Sequence, residues 1–148
     1  MSVLAINKRA GFDYFLLNEY EAGLVLSGQE VKSIRLGQVS LKESFVTLKA
    51  NELYLTNAYI APYKQAGKNQ IGDPTGPRKL LLRKSEIRQL IGKVRTEGLT
   101  LVPIKIYTKK RLLKLSFAIA KGKKKFDKRE SIAKKEAMRN IRRVLKNN

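Results

Sequence analysis

The chain has 148 residues with no cysteine and no histidine, and 32 Lys+Arg against 12 Asp+Glu give it a formal net charge of +20. The missing thiols and imidazoles exclude disulfides and the commonest metal ligands, and they remove the commonest general base. A charge of that size speaks to partners rather than to fold, while 43% hydrophobic residues suffice for one core with an appendage.

In chain order, residues 12–17 (FDYFLL) follow Gly11 and read as a strand, and residues 22–26 (AGLVL) read as a second short apolar run. Residues 27–35 (SGQEVKSIR) predict a helix with Ser27 as its cap and a stop at Gly37. Residues 45–49 alternate, Asn51 and Glu52 look like a turn, and residues 53–56 follow; the pair reads as a hairpin. Between Tyr63 and Lys79 the chain is dense in Gly, Pro, Asn and Asp, which predicts a long mobile loop. Ile87, Leu90, Ile91 and Val94 fall at i, i+3, i+4 and i+7, so residues 85–94 predict a helix that stops near Gly98. Residues 99–107 (LTLVPIKIY) and 112–120 (LLKLSFAIA) read as strands joined by a basic turn at 108–111, with Pro103 marking an edge or a bulge. About six antiparallel strands with interposed helices give a mainly β class with helices: a small closed barrel of the oligonucleotide-binding type.

The last 28 residues are the densest in charge. Residues 121–148 carry a net +9, leaving +11 on residues 1–120. Asp127 with Glu130 resembles a capped helix start. At 100° per residue, Lys128, Lys135, Arg139, Arg142 and Lys146 then share one sector, opposite Ala133, Ala137, Ile141 and Val144. A cationic ridge over so weak an apolar face is expected to be disordered or frayed when free and helical on an anionic surface. The expected organisation is therefore a β-barrel body over residues 1–120 and a basic tail over 121–148. A membrane-surface helix would place Trp or Phe on its apolar face, yet Trp is absent. There is also no run of about 18 apolar residues. The opening MSVLAINKRAGF lacks a basic segment followed by an apolar one. Nucleic acid is thus the expected partner, with no membrane and a cytosolic location.

Six blocks, in order, resemble a known family. They are Asn7-Lys8-Arg9-Ala10, Tyr20-Glu21-Ala22-Gly23, Gln29-Glu30-Val31-Lys32-Ser33-Ile34-Arg35, Arg78-Lys79-Leu80-Leu81-Leu82, Ala120-Lys121-Gly122-Lys123-Lys124 and Asp127-Lys128-Arg129. The series is similar to the SsrA-binding protein family, also called small protein B, of bacteria, from about Val3 to the end. The resemblance implies trans-translation, the rescue of stalled ribosomes. Members bind the tRNA-like domain of transfer-messenger RNA and bring it to ribosomes whose message lacks a stop codon. The protein sits in the decoding region of the small subunit and its tail enters the message channel. Elongation factor Tu is reached through the shared RNA. The implied fold is an oligonucleotide-binding barrel flanked by helices.

The resemblance also implies roles by position. Asn7, Glu21, Leu81 and Lys114 stand where the family has residues needed for the RNA complex, with Lys8, Arg9, Lys32, Arg35, Arg78 and Lys79 as basic neighbours. Lys121, Gly122, Lys123, Lys124, Asp127, Lys128 and Arg129 match the tail segment that works on the ribosome. Phe126 stands where some members carry His or Tyr; it keeps a stacking face and lacks their hydrogen-bonding edge. Read without the family, Leu81 is a core candidate, Asn7 a turn candidate, and Glu21 an exposed carboxylate or a partner for Arg9. Tyr14, Tyr20, Tyr54, Tyr59, Tyr63, Phe12, Phe15, Phe45 and Phe117 are mostly core candidates, with one or two free to stack on RNA. The chain is expected to be a monomer without cofactor or metal, and not an enzyme. A ribonuclease would have to use Glu21 or Glu30 as base with Lys32 and Arg35 as a phosphate clamp, without histidine or a carboxylate pair. The other rivals are a ribosome-associated barrel protein and a cold-shock-type single-strand binder, which needs an aromatic cluster on one strand face.

Overall fold

The computed structural model describes residues 2–63 and 73–123, together with Glu136 and Arg139. Among residues 2–63 and 73–123, twelve elements follow one another: β1 (Val3–Ile6), α1 (Ala10–Asp13), β2 (Tyr14–Leu24), α2 (Gly28–Arg35), β3 (Val39–Ser40), β4 (Phe45–Lys49), β5 (Glu52–Thr56), β6 (Tyr59–Ile60), β7 (Arg78–Leu81), α3 (Lys84–Glu97), β8 (Thr100–Lys109) and β9 (Leu112–Gly122). Seven strands form one antiparallel sheet in the order β1-β8-β9-β2-β7-β5-β4, and β3 pairs with β6 in a separate ribbon.

The mainly β class is as the sequence reads, but the closed six-strand barrel is not. The hydrogen-bonded ladder has two ends, β1 and β4. The sheet curls so that β4 lies against β8, while β3 packs beside β1 and carries β6. The remaining gap is filled by a short ribbon rather than by a ladder.

Alternation along the strands decides which residues fill the core. Leu113, Leu115, Phe117 and Ile119 from β9 point inward with Ala22, Leu80, Leu53, Leu55, Val46, Leu101 and Ile106. Ile34 from α2 and Leu90 from α3 complete the same cluster, both fully buried. Tyr20 stacks on Phe117 within it, with ring centroids 5.8 Å apart.

The helix ends follow their signals. Ser27 Oγ accepts the Glu30 N–H while Glu30 accepts the Ser27 N–H, a reciprocal capping box. Gly98 closes α3 with φ +64°, the left-handed conformation that favours glycine. The first hairpin turn sits one residue before the sequence reading, and the second is the last two of the four expected residues. Ala50 and Asn51 join β4 to β5, and Lys110 and Arg111 join β8 to β9, all four at positive φ. Two successive left-handed residues match the right-handed twist of the flanking strands.

The two apolar runs before residue 27 are parts of one eleven-residue strand, β2, preceded by the short α1. β9 continues two residues past the expected end of the body, pairing Lys121 with Phe15 and Gly122 with Tyr14. Pro103 lies at a register shift in the β8–β9 ladder, the bulge of the two expected alternatives, and just beyond the residues 105–107 that pair with β1. Of the predicted loop before Lys79, residues 64–72 lie outside the described residues.

Candidate nucleic-acid interface

The face of the sheet turned away from the core brings three of the four central candidates together. Ladder partners align Leu81 of β7 with Gly23 of β2, Gly23 with Lys114 of β9, and Lys114 with Tyr107 of β8. The next row on that face aligns Glu21, Ser116, Lys105 and Ile6. Each step crosses one strand spacing of about 4.8 Å. Leu81, a core candidate by composition, is 53% exposed here, and its neighbour Leu80 takes the inward position.

Gly23 makes the close packing between two of these strands workable. A Cβ at that position would stand 3.3 Å from the Leu81 Cβ, tighter than most real contacts. Glycine thus lets the Leu81 side chain lean over β2 beside Lys114.

Glu21 is held rather than free. The Tyr107 hydroxyl donates a short hydrogen bond to Glu21 Oε2, and Lys109 Nζ lies 3.4 Å from both carboxylate oxygens. The Tyr107 hydrogen bond, with the Lys109 hydrogen bond and the charges of Lys109 and Lys114, holds the carboxyl below its ordinary range despite some desolvation. Burial and the Glu21 hydrogen bond together push the Tyr107 phenol well above its ordinary value, so it stays a donor. Lys105 Nζ lies 5.5 Å from the Tyr107 ring centroid. The face therefore presents an ionised, oriented carboxylate among lysines.

Asn7 lies on a neighbouring cleft. Its side-chain amide donates to the Pro103 carbonyl at 2.9 Å and its backbone N–H to Ile104, which ties the end of β1 to the shifted stretch of β8. Lys8 and Arg9 rim a cleft of about 660 Å³ between this segment and residues 39–45, with Lys42 opposite and Leu41 and Leu101 among its lining. Arg9 pairs with Asp13 at 3.3 Å, not with Glu21, and lies over the Phe12 ring.

Two basic candidates make contacts within the fold. Arg78 is only 5% exposed: Nε donates to Glu30 Oε2 at 2.8 Å, Nη1 to the Ala58 carbonyl at 2.5 Å and Nη2 to the Pro74 carbonyl at 2.8 Å. Its guanidinium fills an internal acceptor set, so it is not a flank of the exposed face, and it engages the Glu30 carboxylate needed for any Glu30-based ribonuclease. Arg35 is exposed, but its Nη2 donates to the Arg111 carbonyl at 2.7 Å, bracing the β8–β9 turn against α2. Lys32, on the same helix, lies over the Tyr63 ring. Lys79 pairs with Glu52 at 2.9 Å.

Lys121 and Gly122 are exposed at the end of β9, and Lys123 lies over the Phe15 ring at 5.0 Å. Lys124, Phe126, Asp127, Lys128 and Arg129 lie outside the described residues; Glu136 and Arg139 are helical and exposed. Phe15, Phe45 and Tyr59 are the exposed large aromatic side chains among the described residues. Tyr107, Lys105 and Lys109 were missed. Their signal was present: the alternation that marks residues 99–107 as a strand puts 105, 107 and 109 on one face. Among the described residues no cluster of three or more acidic groups could hold a metal, and no helix is long and apolar enough to cross a membrane.

Comparison with known proteins bears on the chain as a whole. The family model for SmpB protein matches residues 4–147. An SsrA-binding protein of Halothermothrix orenii is 52% identical over 146 residues, covering 99% of this chain and 94% of its own length. One from Chloroflexus aggregans is 51% identical, covering 99% and 92%. A solved chain from the work "tmRNA-SmpB: a journey to the center of the bacterial ribosome" is 47% identical and superposes with a TM-score of 0.67, over 86% of this chain and 92% of that one. With sequence and fold in agreement over nearly its whole length, the chain belongs to the SmpB family of SsrA-binding proteins.

Proposed function

We propose that this protein binds the tRNA-like domain of transfer-messenger RNA and brings it to stalled ribosomes for trans-translation. The observation that carries the reading is the outward face of the sheet. There Glu21, Leu81 and Lys114, which the family resemblance marks for RNA binding, converge with Tyr107 and Lys109. The names of the relatives and of the solved neighbour support the same partners, an SsrA RNA and the ribosome. In this reading the body grips RNA through that face and the Asn7-Lys8-Arg9 rim. The +9 tail works in the decoding region and message channel of the small subunit. Lysines suit both tasks because each neutralised phosphate releases counterions. The protein acts as a cytoplasmic monomer and a binding protein without chemistry of its own, and elongation factor Tu meets it through the shared RNA.

The test compares the full chain with a chain ending at Lys123, whose N–H still closes onto the Asp13 carbonyl. Gel shift on transfer-messenger RNA and tagging on stalled ribosomes are measured for both. The expected result is RNA binding within a few-fold and loss of tagging in the shortened chain. Collapse of RNA binding with the tail would move the grip from the sheet to the +9 segment. Cleavage of labelled RNA by the full chain would instead revive the ribonuclease.

A further inference from the structure

A carboxylate is a poor neighbour for phosphate, so an oriented one on a basic RNA-binding face needs a donor as its partner. Glu21 accepts from Tyr107 through Oε2. Lys109 lies 3.4 Å from both oxygens, a loose contact on an exposed chain, and the Glu21 side chain is itself 37% exposed. Ionised carboxylates are acceptors only, with two oxygens and about four lone-pair sites. The remaining sites of Glu21 are open to a ligand.

The standard bases differ in what they offer such a group. Adenine and cytosine present one amino group beside a ring acceptor, which a carboxylate repels. Uracil presents one imino group between two carbonyls. Guanine alone presents two adjacent donors, N1–H and N2–H, with the spacing of two carboxylate oxygens. Base edges of this kind are available only where the RNA is unpaired and the base is splayed out.

The surroundings of Glu21 fit the rest of a nucleotide. Leu81 leans over Gly23 and offers an exposed apolar surface one strand away. Lys114 stands between Gly23 and Tyr107 in the same row. We infer that this cluster holds one unpaired guanosine of the bound RNA. Its Watson–Crick edge donates to Glu21, its ring rests on Leu81, and its phosphate meets Lys114. Tyr107 is the positioning residue, reaching across β9 from its partner Lys114 toward the Glu21–Ser116 pair to fix the carboxylate. The inference rests on the RNA-binding reading above and adds base identity to it.

Kethoxal, which modifies N1 and N2 of unpaired guanine, is the direct probe. Full-length protein is bound to transfer-messenger RNA at concentrations that saturate the gel shift, and modified guanines are read by primer extension. Wild type is expected to protect a guanine that becomes reactive again in the saturated E21Q complex and partly reactive in Y107F. Circular dichroism should match wild type for both variants. Inosine at that position, which lacks the N2 amino group, should weaken wild-type binding about tenfold and leave E21Q binding unchanged, since a hydrogen bond to a charged group is lost only in the first case. A shift without any protected guanine overturns this inference alone, as does protection that persists in saturated E21Q. No shift at any concentration overturns the RNA-binding reading as well.

Discussion

Arg78 with Glu30 and Lys109 with Glu21 are both cation–carboxylate pairs on strands or helices of one small fold, yet they do opposite work. Arg78 is buried and donates to one carboxylate and three backbone carbonyls, so its guanidinium faces into the fold. Lys109 is half exposed and its distances to Glu21 are long. What makes Glu21 specific is a neutral hydroxyl, Tyr107, which orients the carboxylate without cancelling its charge. Charge content alone therefore does not mark a binding site. A cation whose donors are all satisfied inside the protein is architecture. A carboxylate that is oriented but still open toward solvent is available to a ligand.

The largest effect should come from breaking the buried pair. Arg78→Ala removes the guanidinium, so that among the described residues the Glu30 carboxylate keeps only the Ser27 N–H, the Pro74 carbonyl keeps only the Ile60 N–H, and the Ala58 carbonyl loses its Arg78 donor. Removing one member of a buried pair costs about 3–5 kcal/mol. Urea or thermal unfolding should show a loss of that size, with RNA affinity per folded molecule little changed. A stable Arg78→Ala protein with weakened RNA binding would place Arg78 on the interface after all.

That contrast also explains what the sequence revealed. Long alternating runs identified β8, β9 and the β4–β5 hairpin, because period-two patterning over five or more residues has few alternatives. Ser27, Gly37 and Gly98 marked helix ends through their own chemistry. The short β1, β3, β6 and β7 have two to four residues each and owe their pairing to neighbours distant in sequence. No local pattern announces them, and the open ladder followed from them. Leu81 and Arg78 exchanged their expected sides for the same reason. In RKLL the inward and outward positions depend on register with β2 and β5, which a single strand of four residues does not determine.

A smaller effect probes the capping box that shares Glu30 with Arg78. Ser27→Ala should destabilise by about 1 kcal/mol, the usual value for an N-cap. The loss should shrink when Arg78 is already absent, because both side chains hold Glu30, Ser27 Oγ through its backbone N–H and Arg78 through its carboxylate. A double-mutant cycle by urea unfolding measures that coupling; strict additivity would mean that the two contacts act independently.

On the open face the prediction reverses. Lys114→Ala should leave stability within about 0.5 kcal/mol of wild type. It should reduce the salt slope of RNA binding by about one, the signature of a single lost phosphate contact. An unchanged slope with lower stability would make Lys114 another Arg78.

The smallest effect is a dependence on pH. The Glu21 carboxyl is held below the ordinary glutamate pKa of 4.5, first by the Tyr107 hydrogen bond. A depressed carboxyl pKa contributes stability that is fully present above pH 4.5 and lost as pH falls through the folded-state pKa. Glu52 and Asp73 are also held low, by Lys79 and by Thr75 respectively, so acid unfolding of the wild type alone cannot isolate Glu21. The difference between wild type and E21Q can, because both proteins carry the other two groups and their shares cancel. That difference should be flat from neutral pH to about 4.5 and should shift against wild type below it. A difference that stays constant through the acid range would mean that Tyr107 holds the protonated carboxyl as well as it holds the carboxylate. The hydroxyl would then be a packing contact and not the device that keeps Glu21 charged and aimed.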